Sequence, residues 1–341
     1  MTPGNVRDPN RFPRRRCGMA FNLDVLKIDA AAEAGKLAEF VAKETKEVYR
    51  RRGVVVGLSG GIDSAVMAAL AVKAVGKDNV VGLILPEKES NPVSGRYARA
   101  HAEALGIEHR EIDITATVDS VAPYAWRDAY LRELVPDYTP GCRYHISLPP
   151  DLLERDAISF YVLRVQREDG TIAAKRLSIT EFRTIAAFAS IKIRSRMVHL
   201  YWEAERRSLV VGGTTNRTEM LLGDFCKYGD GGTDIEPLAN HYKNQIYQMA
   251  AHLGVTAEIM ERVPSPDTFS LPVSDQEFFF RIPFDKLDFL LYAWEHSVGP
   301  EEAARVIGLD VRAVERAFKD FASKSRATAH LRELAHRPPE A

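Results

Sequence analysis

With 341 residues, 45% of them hydrophobic and 27% charged, the chain has the composition of a globular enzyme, as one large domain or two modest ones. Its 46 basic and 47 acidic side chains leave a formal net charge of -1, so no electrostatic excess points to nucleic acid or to a membrane surface. No apolar stretch is long enough to span a bilayer, and Cys17, Cys142 and Cys226 form no CxxC pair. That cysteine usage argues against a disulfide framework or a zinc site and for a reducing cytoplasm.

Residues 1–18 gather Arg11, Arg14, Arg15 and Arg16 among prolines, with no apolar run of signal-peptide type behind them. This stretch reads as a disordered extension, with Met19 a candidate start. Leu23 to Arg51 places Leu26, Leu37, Phe40, Val41 and Val48 at helical spacing. Val54 to Leu58 is a short β-branched run of the kind buried on both faces of a parallel sheet. A helix follows over Ala65 to Val75, then a strand over Val80 to Leu85, a helix over Arg96 to Leu105 and a strand over Glu108 to Ile114. The alternation predicts a Rossmann-like α/β fold, a parallel sheet with helices on both faces.

From Thr117 to Leu177 the alternation stops and prolines punctuate the chain. Ile158 to Gln166 and Thr171 to Leu177 flank Arg167-Glu168-Asp169-Gly170, a good hairpin turn, so residues 117–177 read as a hairpin-containing insertion decorating the sheet. The pattern resumes with a helix over Ile179 to Glu205, a strand over Ser208 to Gly212, and helices over Lys243 to Leu253 and Pro300 to Phe321. One domain over 19–325, with a tail over 326–341, is the resulting division.

The segment Ser59-Gly60-Gly61-Ile62-Asp63-Ser64 joins the first strand directly to a helix. Glycines let backbone N–H groups approach a bulky anion, and a helix N-terminus adds unpaired donors and a positive dipole end. Ser59 and Ser64 offer hydroxyls. Asp63 would repel a phosphate held there unless a cation such as Mg²⁺ sat between them. A glycine turn capped by Ser or Asp is the plain alternative. The Walker lysine is absent. The loop looks instead like the SGGxDS loop of the ATP pyrophosphatase group, which grips pyrophosphate and releases AMP.

A second cluster follows the Ser208 to Gly212 strand: Gly213-Thr214-Thr215-Asn216-Arg217-Thr218-Glu219. Glu219 stands just past the carboxyl end of a strand, where open α/β sheets place ligands, and could be a second metal carboxylate. The bland reading is an Asn216 helix start with Glu219 in its first turn. Phe225 to Asp234 then sets Lys227, Asp230 and Asp234 among three glycines. With Ile191-Lys192-Ile193-Arg194-Ser195-Arg196-Met197, the Lys243 helix and Pro264-Ser265-Pro266-Asp267-Thr268, these motifs make the chain resemble the NAD synthetase family over most of residues 20 to 325.

The resemblance implies a homodimer that converts nicotinic acid adenine dinucleotide, ATP and ammonia to NAD. Gly57, Leu58, Ser59, Gly60, Gly61, Ile62, Asp63 and Ser64 would hold ATP phosphates, with Asp63 and Glu219 on Mg²⁺. Thr214 and Ser265 would contact ATP, and Lys243 its triphosphate. Arg194, Lys227 and Asp234 match positions that bind the deamido-dinucleotide, and Asp230 an aspartate thought to receive ammonia. The loops at Glu87 to Gly95 and about Glu261 to Pro283 match segments that close over substrates. The chain departs from the family at its end, where the usual His-Lys pair is missing and Lys324 is the nearest substitute.

In chemical terms, a carboxylate must be activated before an amine can displace one of its oxygens. Attack on the α-phosphate of ATP makes AMP the leaving group, and cation clamping by Lys243 and a metal would stabilise the phosphoryl charge. Asp230 would accept or relay a proton from ammonium, or merely cap a turn. No glutaminase domain is read in the sequence, so ammonia would come from solution or a separate glutaminase. The rivals are another amide ligase of the same fold acting on a different acid, a sulfur-transferring tRNA enzyme, and a nucleotide-binding homologue without catalysis.

Overall fold

The computed structural model describes residues 20–155 and 160–338. The extension over 1–18, Met19 and Cys17 lie outside the described residues, as does the start of the strand expected from Ile158.

Four parallel strands form the central sheet: β1 (Gly53–Gly57), β2 (Val80–Ile84), β3 (Glu108–Glu111) and, much later in the chain, β7 (Leu209–Gly212). Their order is β3-β2-β1-β7. Alternate residues serve opposite cores. Val54, Val56 and Val210 join α1 (Ala30–Lys43), α2 (Ile62–Val75), α3 (Pro92–Leu105) and α8 (Lys243–His252) on one face. Val55 and Val211 pack on the other, against α4 (Thr115–Val121) and the 29-residue α6 (Ile179–Arg207). Both faces are therefore dry over β1, β2 and β7, which is why those strands read as apolar runs, whereas the edge strand β3, Glu108-His109-Arg110-Glu111, is partly exposed.

The topology also fixes where a ligand belongs. From β1 the chain winds outward through β2 and β3, then returns to place β7 on the opposite side of β1. The carboxyl ends of β1 and β7 thus flank a topological switch point, the place where open α/β sheets bind ligands. Asp63 follows β1 and Glu219 follows β7.

Several elements differ from expectation. The first helix begins at Ala30, capped by Asp29, and buries Ala34, Ala38 and Val41, while Phe40 and Val48 face solvent. Its inner stripe is made of small residues that let it lie close on α2. Residues 117–177 are more ordered than their prolines suggest. They contain α4, α5 (Tyr124–Leu134) and an antiparallel sheet of β4 (Arg143–Ser147), β5 (Val162–Gln166) and β6 (Ile172–Arg176). The hairpin at 167–170 is present, and β4 is the strand that sequence reading missed. One face of this sheet packs Tyr144, Ile146, Leu163 and Val165 against Ile185 and Ala189 of α6.

At the C-terminal end, α10 (Phe284–Glu295), α11 (Pro300–Ile307) and α12 (Val311–Ala327) form a helical layer with Tyr242, Leu221 and Leu222. The short α7 (Arg217–Leu222) and α9 (Ala257–Met260) complete the helices. A boundary at residue 325 falls inside α12. Beyond it, Thr328 Oγ1 donates to the Leu222 carbonyl at 3.0 Å and Arg332 to that of Met220 at 2.9 Å, so the chain stays attached to the body.

Candidate active site

At the switch point lies a cavity of about 710 Å³. Its floor is the turn from β1 into α2. Gly60 has φ +71°, and a Cβ there would stand 2.3 Å from the Ser94 carbonyl oxygen, so only glycine fits. The two serines of the loop bond to each other at 3.1 Å, and Ser64 Oγ donates to the Gly61 carbonyl at 2.9 Å. Both hydroxyls thus shape the turn as well as edging the cavity, and Ile62 and Asp63, the first residues of α2, line it.

Asp63 is held by two donors from distant segments. Lys243 Nζ approaches its Oδ2 at 2.5 Å, and Asn216 Nδ2 donates to its Oδ1 at 3.0 Å. The same ammonium lies 3.7 Å from Glu219 Oε1. Asn216 also completes a reciprocal cap with Glu219 at the start of α7, accepting from the Glu219 N–H while Glu219 accepts from the Asn216 N–H. The helix-start reading and the carboxylate-site reading of Glu219 therefore hold together. Lys243 opens α8; Thr218 Oγ1 accepts from its N–H at 3.1 Å, and Asp288 accepts from Asn244 N at 2.7 Å. Side-chain caps thus fix the end of α8 that presents the ammonium.

Charge in this site is unbalanced. Around Lys243 stand Asp63, Glu219 and Asp275, with Asp224 beside them. Burial lowers the proton affinity of the Lys243 ammonium, but Asp63 and Glu219 outweigh it and keep the group charged. Burial and the Asp63 charge push Glu219 well above the usual carboxylate range. Asp275 is pushed up to about 6, chiefly by burial. Such excess negative charge fits a cation. Among the described residues no three acidic, His or Cys side chains form a metal cage. A site with two carboxylates suits Mg²⁺, which takes its remaining oxygens from water and phosphate.

Of the residues singled out in the sequence, Gly57, Leu58, Ser59, Gly61, Ile62, Asp63, Ser64, Thr214, Glu219, Asp230, Lys243 and Ser265 all line this cavity. Gly60 turns its carbonyl to Arg262, 3.1 Å away. Asp230 accepts from Cys226 N at 2.7 Å, so it caps its turn and also faces the cavity; burial raises its pKa. Cys226 is a small buried residue, and with Cys142 carries a free thiol.

Arg194, Lys227 and Asp234 do not line it. Arg194 Nε donates to the Lys227 carbonyl at 3.2 Å, and Lys227 Nζ to that of His330 at 2.8 Å. Asp234 accepts from Tyr201 OH at 3.0 Å and from Val211 N at 2.8 Å. Lys324 is bound to Asp320 at 2.8 Å and to the Phe279 carbonyl at 2.6 Å, with Asp224 nearby.

Sequence reading missed Asn216 as an Asp63 partner, and missed Asp224, Asp275 and Arg262. Only Asn216 carried a signal, as a helix cap. The two loops expected to close over substrate are joined in this structure: Ser94 Oγ donates to Asp267 at 2.7 Å, and Arg262 donates to Ser94 Oγ at 2.7 Å.

A sequence profile described as NAD synthase matches residues 33–133 and 164–335. The chain belongs to the NAD synthase family. It is 41% identical to the NH3-dependent NAD+ synthetase of Rhizobium meliloti over 96% of both chains. Its likeness to the same-named protein of Thermotoga maritima is 37% over 74% of this chain and 84% of that one. Among solved structures, the NH3-dependent NAD synthetase of Campylobacter jejuni superposes with TM-score 0.60 at 22% identity, covering 92% of this chain and all of that one. An NMN synthetase from Francisella tularensis gives 0.63 at 23%, covering 92% and 99%. These two structural matches bear out the α/β fold. The family profile skips residues 134–163, which lie within the inserted segment.

Proposed function

We propose that the chain is an ammonia-dependent NAD synthetase, amidating nicotinic acid adenine dinucleotide through an acyl-adenylate and releasing AMP and pyrophosphate. The observation that carries this is the meeting of Asp63, Glu219 and Lys243 at the switch point, above a loop built for phosphate. Family membership supplies ATP as the co-substrate.

In the first step a nicotinate carboxylate oxygen attacks the α-phosphorus of ATP and pyrophosphate departs. The N–H groups that open α2 receive phosphate oxygens, and the Lys243 ammonium neutralises charge on the triphosphate. Thr214 and Ser265, which both line the cavity, position the nucleotide. Asp63 and Glu219 would hold Mg²⁺, which when bound neutralises phosphate charge. In the second step ammonia attacks the acyl carbon and AMP leaves. Asp230, which faces the cavity, would hold ammonium and take its proton, and its raised pKa suits a group that must accept one.

Arg194, Lys227 and Asp234 are the residues for the dinucleotide. They lie outside the cavity, beside a face of α6 where Val198 is 63% and Trp202 53% exposed, with Tyr228 64% exposed alongside. Positions 194, 198 and 202 share one side of a helix. This exposed apolar face supports a homodimer in which a second copy covers it and encloses the dinucleotide. Ammonia comes from solution or from a separate glutaminase, and the free thiols Cys142 and Cys226 suit a cytoplasmic setting.

The test is pyrophosphate release with ATP, ammonia and either nicotinic acid adenine dinucleotide or other carboxylic acids. The dinucleotide should be the preferred acid, and Asp63→Ala should abolish release with it. Asp230→Asn should slow amide formation more than pyrophosphate release. Equal turnover of an unrelated acid would assign the chain to another amide ligase, and normal release by Asp63→Ala would remove that residue from the site.

A further inference from the structure

Behind the cavity wall a set of charged side chains is shut away from water. Lys192, on α6, is 0% exposed. Its ammonium meets Glu87 Oε1 at 3.0 Å and Glu89 Oε2 at 2.6 Å, and donates to the Thr268 carbonyl at 3.0 Å. A lysine has three N–H donors, and these three acceptors use them all. Arg127, on α5 and 4% exposed, pairs with Glu89 at 2.7 Å and with Asp128 at 2.7 Å. Tyr124 OH donates to Glu87, and Arg127 donates to Tyr144 OH at 3.3 Å.

None of these charged side chains reaches the cavity, yet the segments they hold frame it. The chain on either side of Glu87 and Glu89 supplies Leu85, Ser90 and Asn91 to the wall, and Pro264 to Thr268 supplies the adjoining part. One α6 turn further on, Arg196 donates to the Leu85 carbonyl at 3.1 Å and to Ser90 Oγ at 3.3 Å. Buried ion pairs contribute little net stability and are better at fixing one arrangement among several. Here the arrangement fixed is that of two loops on one rigid helix.

We propose that Lys192 is a positioning residue for ATP: with Glu87, Glu89 and the Thr268 carbonyl it locks two walls of the nucleotide cavity to α6, and α5, through Arg127 and Tyr124, holds that lock in place. The walls are thereby ordered before ATP arrives, and binding spends less of its free energy on loop ordering. Helix α5 acts as an internal brace. This inference needs only that the chain binds ATP, and stands apart from the identity of the acid.

The test measures ATP affinity by calorimetry without any acid substrate, then KM for ATP and kcat, in the full-length chain. Lys192→Met should raise the ATP dissociation constant and KM about tenfold or more with kcat changed less than threefold, since ordering energy is lost equally from ground and transition states. Glu89→Gln keeps the shape and removes one charge; it should move both constants in the same direction and decides the matter if Lys192→Met fails to fold. A merely structural network would lower the thermal midpoint and leave ATP affinity per folded molecule within twofold of the parent. That result in Glu89→Gln would overturn the proposal.

Discussion

Asp63 shows how a single side chain draws a site together: it is met by a lysine 180 positions away and an asparagine 153 positions away. Asp63, Glu219 and Lys243 were legible in the sequence because each opens a helix beside a recognisable motif. Asp224 and Asp275 were not, because acidic residues in loops carry no spacing that tells where they fold. The structure gives Glu236 a similar hidden role. It lies under the Gly213 turn, accepting from Thr215 N at 3.1 Å and Thr233 Oγ1 at 2.8 Å, and burial pushes its pKa from 4.5 up to about 7. Between those values the native chain keeps a proton that the unfolded chain releases, so stability is highest below the lower value and falls as pH rises toward the upper. Glu236→Gln should flatten this slope, read as urea midpoints between about pH 5 and pH 8. An unchanged slope would place the titration elsewhere.

Among elements, those buried on one clean face were readable and those with polar groups inward were not. The strands β1, β2 and β7 announce themselves by β-branched runs. In α5 the inner positions are Tyr124, Arg127 and Leu131, and in α10 Asp288 and Glu295 lie among the leucines, so neither shows an apolar period. These inward polar groups serve neighbouring elements. Asp288 accepts from Thr218 Oγ1 at 2.7 Å while Thr218 accepts from Lys243 N, so α10 caps the helix that presents the site's ammonium. Thr218→Val keeps the volume and loses both bonds. It should cost about 1–3 kcal/mol of stability by urea unfolding and weaken ATP binding as well. A loss of stability with ATP affinity intact would show that the cap does not position Lys243.

At the scale of the molecule, the β3-β2-β1-β7 order explains why two motifs more than 150 residues apart make one site: they sit at the ends of adjacent strands. That adjacency follows from topology, which local patterns do not encode, whereas the strand–helix alternation does. The exposed Val198 and Trp202 on α6 predict association through that face. In the proposed homodimer, Trp202→Glu should shift the mass seen by light scattering to that of a monomer and raise KM for the dinucleotide more than KM for ATP; a dimer unaffected by the change, or a monomeric parent, would contradict this interface. The central claim is that the carboxylate oxygen itself attacks ATP. Nicotinic acid adenine dinucleotide labelled with ¹⁸O in both carboxylate oxygens, turned over with ATP and ammonia, should yield AMP carrying one ¹⁸O and an amide carrying the other. AMP without label, or no AMP from this acid, would contradict the account.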